Sequence, residues 1–327
     1  MPMPPEAFNK TETDYKPTNL LVPLDFSSQS EKALAYAKTF CERFGSVIHL
    51  LHVAEPVPMF AGIDVAPVPV DDSKKLGDLE RKLGTFASGL PDGSVGRTIV
   101  RTGWATDETI AVAKELRIDL IIISTHGRSG IQRVFFGSTA EGVVRRASCA
   151  VMVLRPGERD FVTGTKSKQL DTATPIRNIL APVDFSDASR EALRCAVTLA
   201  RRFQGKLICL HVLDILPYFE PEMALGTEME LIKKSVLEAT ERTLQAFSKG
   251  QTAQLPHENI VTYGSTSREI IQTAEDRQVH LIVIGTHGKK GPSRFLLGST
   301  AERVVRHAHC AVLVVPKNEQ QPSAQPQ

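Results

Sequence analysis

Cysteine is scarce in this chain. Cys41, Cys149, Cys195, Cys209 and Cys310 are the five in 327 residues, an odd number with no C-x-x-C pair. That scatter excludes a disulfide scaffold and a paired-thiol motif, and it reads as reduced thiols. An excess of one charge is also lacking. Lys+Arg 39 against Asp+Glu 37 leaves +2, too little to infer a polyanion partner from bulk charge, so nucleic acid is not the expected ligand. No stretch approaches the roughly 18 apolar residues of a membrane span. Met1–Lys16 carries Pro, Glu, Asn and Thr where a secretory signal needs an apolar core, so a cytoplasmic protein without membrane attachment is expected. The chain has no G-x-x-x-x-G-K-[ST], no G-x-G-x-x-G after a strand and no G-x-S-x-G. The usual nucleotide hydrolase, dinucleotide and serine hydrolase readings fall with them.

What the chain does have is a repeat. Val22-Pro-Leu-Asp25-Phe-Ser27 returns as Ala181-Pro-Val-Asp184-Phe-Ser186, and Leu51-His52-Val53 returns as Leu210-His211-Val212, both at an offset of 159. Thr125–Cys149 matches Thr286–Cys310 at an offset of 161, with 15 of 25 positions identical. Two copies of one domain account for the length, at about 100–200 residues per domain. The composition, 42% hydrophobic and 23% charged, is that of an ordinary globular protein. The expected plan is a domain over 18–156, a Gly/Thr/Lys/Asp-rich linker over 157–175 and a second domain over 176–316. The ends, 1–17 and 317–327, lack apolar side chains to offset ordering entropy and are expected to be mobile.

Within each copy, short β-branched runs alternate with amphipathic segments, the pattern of a parallel sheet covered on both faces by helices. Strands are predicted at Leu20–Leu24, Val47–Val53, Arg97–Arg101, Leu120–Ile123 and Ala150–Leu154. The second copy has them at Asn178–Val183, Leu207–Val212, Asn259–Thr262, Leu281–Ile284 and Ala311–Val315. After Asp25, the residues Ala33, Leu34, Ala37, Phe40, Cys41 and Phe44 share one face of a 3.6-residue helix. Ala192, Leu193, Ala196, Leu199, Ala200 and Phe203 repeat that face. Further helices are predicted at Asp71–Ser88, Thr106–Leu116 and Ser138–Ala147, and at Glu228–Lys249, Ser267–Asp276 and Ser299–Ala308. The fold class is therefore α/β, two tandem doubly wound parallel-sheet sandwiches of Rossmann-like type with five strands each.

Ligands of such sheets bind outside the carboxyl ends of the strands, where the winding reverses. The repeated motifs cluster there. Asp25 and Asp184 close the first strand, Val53 and Val212 the second, and glycine-rich segments follow the fourth. These segments are Ser124-Thr-His-Gly127-Arg-Ser-Gly130-x6-Gly137-Ser138-Thr139 and Gly285-Thr-His-Gly288-Lys-Lys-Gly291-x6-Gly298-Ser299-Thr300. Glycines let main chain approach a phosphate, and a loop entering a helix presents unpaired N–H groups and a positive dipole end to an anion. Ser138, Thr139, Ser299 and Thr300 offer hydroxyls, and Arg128, Lys289 and Lys290 offer charge.

A structural reading stands beside the functional one. Ser138-x-x-Glu141 and Ser299-x-x-Glu302 have capping-box spacing, which satisfies a helix end with no ligand. Capping leaves the upstream glycines unexplained. Asp25 and Asp184 can orient a loop or a helix N-terminus, or can contact a base or ribose, or hold magnesium through water. His126 and His287 read as turn hydrogen-bonders rather than bases. His307-Ala-His309-Cys310 is matched by Arg146-Ala-Ser148-Cys149, so a metal site shared by both copies fails. No catalytic acid, base and nucleophile are assembled.

The first-strand Asp, the second-strand Val and Gly-x2-Gly-x9-Gly-(Ser/Thr) together resemble the universal stress proteins, and the doubling resembles their tandem members. The likeness covers Asn19–Pro156 and Arg177–Pro316. It implies an ATP-type adenine nucleotide, with adenine near the Asp and Val and with ribose and phosphates along the glycines. In the second copy the implied residues are Asp184, Val212, Gly285, Gly288, Gly298, Ser299 and Thr300. In the first they are Asp25, Val53, Gly127, Gly137, Ser138 and Thr139. Ser124 stands where the first glycine belongs, and its Cβ is expected to crowd the ribose or to forbid a positive φ, weakening the first site. Pro292 removes a main-chain donor from the second loop. Pairing of the copies through Ala150–Leu154 and Ala311–Val315 is also implied, as an intramolecular pseudo-dimer, alongside pairing of whole chains and an unidentified protein partner. Glu55–Val70 and Pro217–Leu225 are expected lids or partner surfaces. The expected role is a stress-response regulator or protective factor, set against a slow ATPase or self-phosphorylating enzyme and a ligand-free scaffold.

Overall fold

The computed structural model describes residues 15–55, 73–125, 137–155, 176–214, 227–286 and 297–316. The chain divides into two compact units between residues 155 and 176. The first contains β1 (Asn19–Pro23), α1 (Ser28–Phe44), β2 (Val47–Ala54), α2 (Ser73–Ala87), β3 (Val95–Thr102), α3 (Ala105–Glu115), β4 (Leu120–Ser124), α4 (Ser138–Arg146) and β5 (Ala150–Leu154). The second contains β6 (Asn178–Pro182), α5 (Asp187–Phe203), β7 (Lys206–Leu213), α6 (Thr227–Lys249), β8 (His257–Tyr263), α7 (Thr266–Asp276), β9 (Leu281–Gly285), α8 (Ser299–His307) and β10 (Ala311–Val315). All strand pairs within each unit are parallel, in the order β3-β2-β1-β4-β5 and, for the second, β8-β7-β6-β9-β10. The α/β expectation of five strands and four helices per copy is met.

The central strands are apolar without alternation because both faces of a parallel sheet are covered. Leu20, Leu21 and Val22 of β1 and Leu120, Ile121 and Ile122 of β4 are fully buried. On α1 the buried face includes Tyr36 and Thr39 beside Ala33, Ala37, Phe40 and Phe44. The bulk of Tyr36 and Phe40 centres the contact on themselves and leaves Leu34 and Cys41 half-buried at its margin. On α5 the whole expected stripe, Ala192 to Phe203, is buried.

Two strands begin two residues before the apolar pattern indicates. β3 begins at Val95 and β8 at His257, outside the predicted Arg97–Arg101 and Asn259–Thr262. The added residues are held by main-chain pairing to β2 and β7, which side-chain hydrophobicity does not register. All five cysteines are unbridged. Burial pushes the thiols of Cys149, Cys195 and Cys209 up to about 12, which keeps them protonated and unreactive. Among the described residues no helix is long and apolar enough to cross a membrane. The linker region 157–175, residues 1–14 and 317–327 of the two ends, and the expected lids other than Glu55 lie outside the described residues.

Equivalent helix ends differ in one residue. α1 stops at Gly45, left-handed with φ +67, whereas α5 stops at Gln204 with φ +55. A side chain in that conformation costs about 1 kcal/mol relative to glycine. Gln204→Gly is expected to stabilise the second unit by about 0.5–1 kcal/mol, read as a higher midpoint in urea unfolding.

Candidate functional site

The sheet order reverses at β1 and β4, which are neighbours through Leu20–Leu120 and Leu21–Ile121. From β1 the chain winds outward through β2 and β3, then returns to the other side through β4 and β5. Among the described residues, no crossover helix therefore covers the carboxyl ends of β1 and β4. Asp25 follows β1, Val53 lies near the end of β2, Ser124 ends β4, and Gly137-Ser138-Thr139 opens α4. β6 and β9 repeat the reversal, with Asp184, Val212, Gly285 and Gly298-Ser299-Thr300 in the same places.

The loop after β1 is held from several sides. Leu24 N–H donates to Leu51 O (2.7 Å), and the Asp25 Oδ1 accepts Ser27 N–H (3.0 Å) and the Ser27 hydroxyl (2.6 Å). Ser27 in turn caps α1, its hydroxyl oxygen accepting Ser30 N–H (3.2 Å). The second unit matches it, with Ser186 N–H (3.0 Å) and hydroxyl (2.5 Å) on Asp184 Oδ1 and Ser189 N–H on the Ser186 hydroxyl (3.2 Å). The loop-orienting role of the two aspartates therefore engages at least Oδ1 of each. Burial alone would raise the Asp25 pKa, but the bonds from Ser27, aided by Ser30, outweigh it and hold the carboxyl below the ordinary aspartate value.

The residue between Asp and Ser has a conformation that local sequence does not reveal. Phe26 and Phe185 both have φ +63, rare for a bulky side chain. Their rings lie 4.3 Å from His52 and 4.4 Å from His211, centroid to centroid. The Nδ1 of each histidine is 2.6 Å from the carbonyl oxygen preceding the aspartate, Leu24 O or Val183 O. These four residues sat inside the repeated motifs, yet only the fold gives them a role. His49, on the opposite face of β2, turns instead to β3, its Nδ1 accepting Arg97 N–H (3.1 Å).

The helices that follow the glycine segments correct one reading and sharpen another. Ser138 and Ser299 are not N-caps. Gly137 and Gly298 hold that position, and neither α4 nor α8 has a side-chain cap. Gly137 N–H donates to Thr125 O (3.0 Å) and Gly298 N–H to Thr286 O (2.8 Å), tying the two ends of each loop together. A Cβ on Gly137 would sit 2.4 Å from Thr125 O, so only glycine closes this base. Glu141 and Glu302 pair with Arg145 (3.0 Å) and Arg306 (3.1 Å) one turn on. The first-turn N–H groups have no main-chain acceptor one turn before them, and they sit at the positive end of the dipole beside a cap that offers no side-chain oxygen.

Neither Ser124 nor Gly285 has positive φ, so that part of the expected difference between the copies falls away. Close approach remains. A Cβ on Gly285 would sit 2.9 Å from Ala188 O and 3.0 Å from its carbonyl carbon, in the first turn of α5. Gly127, Gly288, His126, His287, Arg128, Lys289, Lys290 and Pro292 lie outside the described residues. Among the described residues no three His, Cys, Asp or Glu gather as a metal site.

A sequence model described as the universal stress protein family matches twice, over residues 17–155 and 175–316. The chain belongs to this family. It is 36% identical to universal stress protein MJ0531 of Methanocaldococcus jannaschii over 144 residues, 43% of this chain and 82% of that one. A universal stress protein of Mycolicibacterium smegmatis aligns over 312 residues at 25% identity, covering 94% of this chain and 98% of the relative. The tandem arrangement is thus shared over nearly the full length. The crystal structure of a universal stress protein from Archaeoglobus fulgidus superposes with a TM-score of 0.65 at 20% identity, covering 94% and 99% of the two chains, and it supports the fold.

The lowered pKa of Asp25 makes a pH dependence. The unfolded chain binds this proton more tightly than the folded one, so the carboxylate stabilises the fold above its unfolded pKa, and that stabilisation is lost as pH falls through the folded value. Asp25→Asn is expected to be less stable than the parent at neutral pH and to lose less stability on acidification, measured by urea unfolding at stepwise lower pH.

Proposed function

We propose that this universal stress protein binds an adenine nucleotide of the ATP type at the sheet reversal of each domain, and that occupancy rather than turnover is its signal. The observation that carries the reading is the glycine-capped first turn of α4 and α8. A helix end with no side-chain cap, at the carboxyl rim of a parallel sheet, presents main-chain donors to a phosphate chain. In the second domain these donors belong to Ser299 and Thr300 beside Gly298, with Gly288 earlier in the same sequence motif, and in the first to Ser138 and Thr139 beside Gly137, with Gly127 earlier in its motif. Asp184 and Val212, or Asp25 and Val53, border the adenine and ribose.

Affinity is proposed to be higher in the second domain, where Gly285 stands at the position that Ser124 holds in the first. A bound ligand shifts conformation or partner affinity only through different affinity for two states. Such a shift suits a stress-response regulator acting on a protein partner in the cytoplasm. Turnover would draw on Asp184, whose Oδ1 already accepts two bonds from Ser186.

The same proposal pairs the two domains within one chain through β5 and β10. Ala150–Leu154 and Ala311–Val315 carry no charge or proline, the usual guards of an open strand edge. Covalent linkage supplies high effective concentration for that pairing. Cysteines placed at Met152 and Leu313 are expected to cross-link within one 35.8 kDa chain; cross-links only between chains would oppose it.

Melting in ATP, ADP, AMP and cyclic AMP tests the ligand. A nucleotide at 100 times its dissociation constant should add about 2.7 kcal/mol of stability, and no shift with any of the four overturns the reading. Ser124→Gly is expected to raise first-site affinity several-fold by calorimetry, whereas unchanged affinity removes the proposed difference between sites. Release of labelled γ-phosphate that is lost in Asp184→Asn would mark an enzyme instead.

A further inference from the structure

We propose that His211, and His52 in the other copy, are the positioning residues of the nucleotide site. Each holds the aspartate loop in its binding conformation through an Nδ1–H bond and an aromatic ring contact. This rests on the nucleotide reading above for its ligand, although the loop geometry is independent of it.

The loop needs such a hold. Phe185 is left-handed at φ +63, a conformation that β-carbon sterics disfavour and that persists only where surrounding contacts impose it. Two of those contacts come from one side chain. The His211 ring lies 4.4 Å from the Phe185 ring, and its Nδ1 is 2.6 Å from Val183 O, so the residues on both sides of Asp184 are bound to the same imidazole. A carbonyl oxygen only accepts, so Nδ1 carries the proton. In the first domain His52 does the same with Phe26 at 4.3 Å and Leu24 O at 2.6 Å.

The outer side of each phenylalanine is packed by the helix following the second strand. Phe86 of α2 lies 5.7 Å from Phe26, and Phe247 of α6 lies 5.5 Å from Phe185. The helix contacts differ in detail: Lys82 sits over Phe26, whereas Arg190 sits over Phe247. The histidine contacts agree closely in both copies, with the same 2.6 Å bond and ring centroids 4.3 and 4.4 Å apart. Histidine combines an aromatic face with an N–H donor at the Nδ1 position. Phenylalanine keeps only the face, and asparagine keeps only the donor, its amide nitrogen standing where Nδ1 does.

The test compares the full-length parent with His211→Phe and His211→Asn by two readouts. Amide exchange at 183–187 reports the loop without any ligand, and calorimetry reports ATP affinity at the second site. His211→Phe is expected to exchange faster across 183–187 and to bind ATP about tenfold more weakly, the loss of roughly one buried hydrogen bond. His211→Asn should recover most of both losses. The inference fails if exchange in His211→Phe matches the parent, or if asparagine recovers no more than phenylalanine. Faster exchange with unchanged ATP affinity would also overturn the positioning role and leave nucleotide binding intact. Should the parent bind no adenine nucleotide, the ligand reading fails, and the exchange rates alone then decide whether His211 holds the loop.

Discussion

A parallel sheet whose chain winds outward in both directions from two adjacent strands leaves one gap at its carboxyl rim that no crossover helix covers. In each unit this gap lies outside β1 and β4, or β6 and β9, and the described residues of the candidate site lie on or beside elements that end or begin there. The gap would be inert if the entering helix satisfied its own donors. Gly137 and Gly298 prevent that, because a glycine N-cap has no oxygen to offer and its missing Cβ lets the loop base close, at Thr125 in the first unit. The same two positions thus close a loop and leave a helix end available, which ties architecture to the proposed ligand chemistry.

The opposite rim of the crevice is built from a different kind of interaction. Asp, Phe and Ser after β1 form a short segment with little freedom: Ser closes on the Asp carboxylate, Phe is left-handed, and histidine binds the carbonyl before it. The protein's own contacts therefore fix the aspartate, which would lower the ordering entropy of the proposed binding. Preorganisation of this kind occurs in both copies to within about 0.1 Å in the ring and hydrogen-bond distances. The copies part at other points, above all at Ser124 against Gly285 and at Gly45 against Gln204. Duplication therefore kept the loop frame while the crevice wall and a helix end diverged.

Much of this was legible in the amino-acid sequence. The repeats at offsets of 159 and 161, the alternation of strands and helices, and the collection of Asp, Val and glycine motifs at strand ends follow from side-chain patterns that need no three-dimensional information. The helices were the most readable, since α1, α5 and α6 carry long amphipathic patterns. Edge strands were the least, because β3 and β8 are extended by main-chain pairing that polar end residues do not advertise.

The sequence by itself determined the two-domain α/β plan and the residues that gather at each rim, because hydrophobic period and motif spacing are local properties. Tertiary structure decided what those residues do. It made Gly137 and Gly298, rather than Ser138 and Ser299, the helix caps, and it assigned Gly285 to close helix approach rather than to positive φ. It also joined His52 to Leu24 and His211 to Val183. These outcomes depend on atoms from segments far apart in the chain meeting at a few ångströms, and no local periodicity encodes such a meeting.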